Sequence, residues 1–149
     1  MNVVLDTNVL VSGLLTPFSP CGELVRMVSS GELTLCLDAR LLGECSEVLR
    51  RAHFQFDPDL VSALLDHVSH AGVLVSASPL LATLPDRDDA AFLEVAIAGA
   101  VACLVTGNLK HFPFGARQGI TVCSPRDFLD HYRKHRTHPS KRPPPGGVN

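Results

Sequence analysis

Asp6, Glu44, Asp89 and Asn108 are the side chains whose types and settings suit chemistry, since each carries oxygen and stands at a strand end, at the border of a helix's apolar stripe or in a helix's first turn. Asp6 ends the apolar run Val3-Val4-Leu5, so its carboxylate projects from the carboxyl edge of a first strand. An N-capping role fits Asp6-Thr7-Asn8 equally well. Taking about 100° per residue, Glu44 falls at the border of an apolar stripe made by Leu41, Cys45, Val48 and Ala52, whereas Glu47 and Arg50 point away. That border position is open to a cleft or to a salt bridge. Asp89 is the most informative of the set. Phe92, Leu93 and Ala96 follow it at helical spacing, so it occupies the middle of an apolar face while Asp88 points outward. A carboxylate aimed at a core is costly to desolvate unless it is capped, paired or metal-bound. The helix N-terminus offsets part of that cost and helps keep it ionised. A capping role within Asp86-Arg87-Asp88-Asp89 is the alternative. Asn108 follows Val105-Thr106-Gly107 at another strand end, where Gly107 allows a sharp exit, and it reads as a weak ligand, a partner for a bound water, or a plain turn residue. Hard oxygen donors of this kind suit Mg²⁺ or Mn²⁺ rather than zinc. An ion so held activates water and neutralises a phosphate, so the chemistry expected is hydrolysis of a nucleic-acid phosphodiester.

The elements that must position these groups alternate between short apolar runs and longer helical stretches. Strands are expected at Asn2 to Leu5, Leu33 to Leu37, Val73 to Ser76, Ala102 to Val105 and Ile120 to Cys123. Helical periodicity follows Asp6, and Ser19-Pro20, Asp38, Asp57-Pro58 and Ser124-Pro125-Arg126-Asp127 each read as a helix start, with a capping side chain or a first-turn proline. The helix after Asp38 is expected to run to about Ala52, and the one after Asp86-Arg87-Asp88-Asp89 to about Ala98. Such alternation is the mark of βαβ units and an α/β fold with a mainly parallel sheet. Parallel sheets place ligands beyond the carboxyl ends of their strands, where the acidic groups stand.

Composition supports one domain. With 149 residues, 46 % of them apolar, the chain is long enough to bury a core. No secretion signal or long apolar stretch is visible, so a soluble, cytoplasmic protein without a membrane span is expected. The five cysteines (Cys21, Cys36, Cys45, Cys103, Cys123) form no Cys-x-x-Cys and read as small buried hydrophobes in a reducing compartment. The seven histidines show no ligand spacing and are set aside as a metal site. Net charge is −2, but five of the thirteen basic residues lie from Arg133 onward, which leaves residues 1 to 132 with 8 basic against 15 acidic groups. An acidic body with a basic tail fits carboxylates that hold metal and loose cations that touch phosphate. A domain over residues 1–133 is therefore expected, followed by a basic, Pro/Gly-rich, disordered tail over 134–149.

At this point the chain resembles a PIN-domain ribonuclease, particularly the VapC-like toxin components of bacterial and archaeal toxin–antitoxin pairs. The resemblance rests on Val4-Leu5-Asp6-Thr7-Asn8-Val9-Leu10, the Leu41-Leu42-Gly43-Glu44 to Leu49-Arg50 helix, Asp86 to Leu93, Leu104-Val105-Thr106-Gly107-Asn108, and Ser124-Pro125-Arg126-Asp127-Phe128-Leu129. It implies a three-layer α/β/α sandwich and a Mg²⁺- or Mn²⁺-dependent endoribonuclease, a homodimer silenced by a cognate antitoxin. Its acidic positions carry over to Asp6, Glu44 and Asp89, with Thr7, Asn8 and Thr106 orienting carboxylates and waters. The resemblance departs at Asn108, where the family usually has a fourth acid, and Asp86 is the residue that stands in as a further ligand. Asp6 and Asp89 are then direct ligands, Glu44 a ligand or the group that activates water, and Asn108 a positioner of water or substrate. Arg50, Arg51 and Lys110 are candidates for phosphate contact. Two rivals stay open. Asn108 favours a catalytically inactive module that binds RNA or an antitoxin. A phosphotransfer protein would use Asp6 as nucleophile, but the second carboxylate expected two residues on is Asn8.

Overall fold

A computed structural model describes residues 1–137; the rest of the expected tail, 138–149, lies outside the described residues. The chain alternates as the patterning predicts: β1 (Asn2–Leu5), α1 (Thr7–Leu15), α2 (Pro20–Ser30), β2 (Thr34–Leu37), α3 (Ala39–Leu49), α4 (Pro58–Ala71), β3 (Val73–Leu74), α5 (Ala90–Ala98), β4 (Cys103–Val105), β5 (Val122–Cys123) and α6 (Pro125–Thr137). The helix starts are set by the side chains expected to cap them. Ser19 Oγ accepts from Gly22 N at 3.2 Å, Asp38 Oδ1 from Leu41 N at 3.1 Å, Asp57 Oδ1 from Asp59 N at 2.9 Å and Ser124 Oγ from Asp127 N at 3.1 Å. Gly31 ends α2 in the left-handed region at φ +86, a conformation that costs glycine little.

The five strands form one sheet in the order β3-β2-β1-β4-β5, with every neighbouring pair parallel. From the central β1 the chain builds outward through β2 and β3, then returns to the other side for β4 and β5. The order therefore reverses between β1 and β4, and the crevice beyond their carboxyl ends is where such a sheet opens to a ligand. Helix α5 packs on β1, β2 and β4, and α6 on β4 and α2. Val3, Val4, Leu93, Val95, Ala96, Leu104 and Val105 have no exposure at all, so the sheet and α5 form the centre of the core.

The elements differ from the sequence expectation mainly at their ends. Helix α3 stops at Leu49 rather than near Ala52, because the chain turns through Ala52–Phe54 and reverses at Gln55, whose φ of 56 no helix allows. β3 holds only Val73–Leu74, both exposed at the sheet edge, where one side of the ladder has no partner among the described residues. The acidic run opens with a tight turn, Arg87–Asp89, before α5 begins at Ala90. Gly107 has no positive φ and open space around its Cα, so the exit after β4 does not depend on glycine, contrary to the sequence expectation. No helix among the described residues is long and apolar enough to cross a membrane.

Candidate metal centre

The parallel ladder continues one residue past β1 and β4. Asp6 N donates to Val105 O at 3.0 Å, and Thr106 N donates to Cys123 O at 3.0 Å. Asp6 and Thr106 consequently stand side by side at the sheet edge. The fully buried Thr106 hydroxyl donates to Asp6 Oδ2 at 3.0 Å and accepts the Asn108 backbone N–H at 3.0 Å. Asp6 Oδ1 accepts from Asn8 N at 3.3 Å, a long capping bond. Asp6 therefore caps α1 and sits, buried, just past the carboxyl end of β1. The Asn8 and Asn108 side chains are exposed, and Asn108 makes no side-chain capping bond to the turn that follows it.

Glu44 lies in the second turn of α3 and is half-buried, as its border angle predicts. The buried Thr7 hydroxyl donates to Glu44 Oε2 at 2.5 Å, linking the first turn of α1 to α3. Among the described residues this hydroxyl, and no cation, is the partner of Glu44. Cys45 Sγ lies 3.9 Å from the same hydroxyl, and burial pushes its thiol up to about 11. It stays a neutral thiol near neutral pH and supplies no thiolate ligand. The other four cysteines are also free, in keeping with the sequence reading.

Asp89 is buried, as its position among Phe92, Leu93 and Ala96 requires. Although it occupies the N-cap position of α5, its side chain caps nothing. Asp86 caps the preceding turn, Arg87–Asp89, accepting from Asp88 N at 2.9 Å. Burial first, and then the nearby charge of Asp6, push the Asp89 carboxyl above its ordinary value, with His111 acting in the opposite direction. The helix N-terminus was expected to help keep this group ionised; desolvation beside a second carboxylate outweighs it. His111 Nδ1 forms an ion-pair contact with Asp89 Oδ2 at 2.8 Å, yet the approach is not aligned as a hydrogen bond, and among the described residues Oδ2 is buried with no hydrogen-bond partner. A buried carboxylate oxygen in this state is stable only when something positive completes it.

Asp86, Asp89 and His111 each present a ligand atom within 4.8 Å of the others. Spacing alone sets all seven histidines aside, whereas the fold brings His111 to Asp89 from 22 positions away in the chain, through the turn Leu109–His111 after β4. Its neighbour Phe112 is fully buried and His111 N donates to Asn108 O at 3.0 Å, so the turn is anchored on both sides. A second group without a sequence signal is Glu94, which is buried on α5, accepts from Arg40 Nη1 at 2.7 Å and from Leu80 N at 2.9 Å, and so ties α3 and the loop before Asp86 to α5. Replacing Glu94 by Ala strands the Leu80 N–H. We expect a loss of about 1–3 kcal/mol, read as a lower urea midpoint with an unchanged slope.

The basic candidates separate. Arg50 donates to Ser62 Oγ at 3.0 Å and Arg51 pairs with Glu47 at 3.1 Å, about two helical turns beyond Glu44. Together with Phe56 and Val61 they line a cavity of about 310 Å³ between α3 and α4. Lys110 is exposed in the turn that carries His111. At the start of the basic tail, Arg133 pairs with Glu23 of α2.

Comparison with known proteins places this geometry. A family model described as a PIN domain matches residues 2–110. No curated protein and no solved structure matches the chain. PIN domains are in general metal-dependent nucleases that use divalent ions, commonly bind RNA and often pair with antitoxins. The all-parallel, helix-flanked sheet agrees with that fold, and the match takes in β1, α3, α5, β4 and every acidic candidate. The chain therefore belongs to the PIN-domain family.

Proposed function

We propose that this chain is a Mg²⁺- or Mn²⁺-dependent endoribonuclease, the toxin of a toxin–antitoxin pair, working in the cytoplasm as a homodimer. The observation that carries the reading is the buried Oδ2 of Asp89, which accepts no hydrogen bond among the described residues and is close enough to Asp6 for the two charges to interact. Oxygen donors on Asp6, Glu44 and Asp89, with Asp86 at the rim, fit a hard divalent ion. When bound, such an ion supplies a more acidic water and neutralises charge on a phosphate. The chain's own groups do the rest. Thr106 and Asn8 hold Asp6 at the edge, and Thr7 holds Glu44 in place to take the proton of the attacking water. Water adds to phosphorus as Glu44 takes its proton, the bond from phosphorus to the 3′ oxygen breaks, and that oxygen takes a proton from solvent, giving 5′-phosphate and 3′-hydroxyl ends. Asn108 positions water or substrate, and Lys110, two residues on, touches phosphate; Arg50 and Arg51 lie just past the end of α3 and serve a longer RNA. The antitoxin is the partner that silences the site.

Cleavage of structured RNA should cease in excess EDTA and return with Mn²⁺ or Mg²⁺, the products carrying 5′-phosphate. Metal-independent cleavage would remove this reading. The exposed amide of Asn108, standing where a fourth acid is usual, favours a second reading, a module that holds RNA or the antitoxin without cutting. Metal binding by calorimetry with no cleavage of any RNA tested would select it.

A further inference from the structure

We propose that His111 is a metal ligand of this centre, giving it a nitrogen donor beside the carboxylates of Asp86 and Asp89 and a preference for Mn²⁺ or Co²⁺ over Mg²⁺. The inference rests on the metal-centre reading above and adds to it the identity of the ion. Three observations carry it. The ligand atoms of Asp86, Asp89 and His111 lie within 4.8 Å of one another, the span of a single coordination shell. Asp89, 8 % exposed, keeps Oδ2 buried with no hydrogen bond although His111 Nδ1 is only 2.8 Å away. His111 is also held in place, between the fully buried Phe112 and its own backbone bond to Asn108.

The close but misaligned approach of Nδ1 to Oδ2 is what two ligands of one ion make. With bonds of about 2.1 Å, two donors at right angles on one octahedral ion are about 3 Å apart. Each points its lone pair at the ion and not at the other donor. A hydrogen bond between the same atoms would put the N–H along the line joining them. The structure has the distance of the first arrangement and lacks the alignment of the second. Imidazole nitrogen suits the middle and later first-row ions, whereas Mg²⁺ prefers oxygen and keeps its waters. One nitrogen with two carboxylates therefore shifts a site built for hard ions toward Mn²⁺ or Co²⁺.

Calorimetric titration of the full chain with Mg²⁺, Mn²⁺ and Co²⁺, together with the visible absorption of the Co²⁺ form, tests this without reference to activity. His111→Ala and His111→Gln should lose about tenfold or more in Mn²⁺ and Co²⁺ affinity while Mg²⁺ affinity changes less. The Co²⁺ ligand-field bands should shift in both variants. His70→Ala, whose imidazole bonds to its own helix at Asp66 O, should match the parent in every respect. Unchanged melting in EDTA verifies that the variants fold. Equal Mn²⁺ and Co²⁺ affinities and an unaltered spectrum in both His111 variants would overturn the inference and leave the metal-centre reading intact. Failure of the parent itself to bind any of the three ions would overturn both.

Discussion

Asp6→Asn should lower metal-dependent RNA cleavage by about a thousandfold or more while leaving the fold in place. The substitution keeps shape and size at the sheet edge. An Asn oxygen still accepts from Asn8 N, as Asp6 Oδ1 does at 3.3 Å, and the backbone bond from residue 6 to Val105 O is untouched. What changes is the partner of the Thr106 hydroxyl, which now donates to Oδ2 and accepts from Asn108 N. An amide NH₂ in that place leaves the hydroxyl proton without its acceptor, at a cost of about 1 kcal/mol, too little to unfold a domain. The loss of one of the centre's proposed carboxylate ligands is far larger for ion binding. Single-turnover cleavage at saturating Mn²⁺, beside the melting temperature in EDTA, separates the two effects. Cleavage by the variant at the parent's rate would remove Asp6 from the site.

The second large effect runs in opposite directions for stability and for function. Asp89→Asn should stabilise the ion-free protein by about 1–2 kcal/mol, because it replaces a buried carboxylate whose Oδ2 has no hydrogen bond and which faces the charge of Asp6. For a domain of this size that is a rise in Tm of roughly 3–6 °C. With the ion present at about a hundred times its Kd the parent gains about 2.7 kcal/mol, which the variant largely forgoes, so the order of the two melting temperatures should reverse. The pH dependence has a definite sign. The folded-state pKa of Asp89 is raised, so its penalty is absent below the unfolded-state pKa and grows as pH rises through the folded-state value. The advantage of the variant in EDTA should therefore be full near neutral pH and vanish on acidification. An advantage that persists below the carboxylate range would mean the gain comes from packing and not from charge.

Much of the architecture was legible from local pattern. The five apolar runs, the helix starts at Ser19, Asp38, Asp57 and Ser124, and the parallel arrangement all follow from short-range chemistry: periodicity, capping and the need to bury a sheet. The inward aim of Asp89 was legible for the same reason, since three apolar residues at helical spacing define the face it shares. Helix and strand ends were less legible, because the reversal at Gln55 and the short edge strand at Val73–Leu74 depend on what each segment packs against and not on its own pattern.

The sequence by itself thus determined the type of fold and the inward, buried setting of Asp89. Only the tertiary structure decided which atoms meet: Thr106 with Asp6 across 100 positions, Thr7 with Glu44 across 37, Arg40 with Glu94 across 54, and His111 with Asp89. It also decided the sign of the Asp89 shift, setting desolvation and a neighbouring carboxylate against a helix terminus. The physical reason is that spacing encodes direction only within one helix or strand. Between elements, distance is set by strand register and by how α3, α5 and the turn after β4 pack at the end of the sheet.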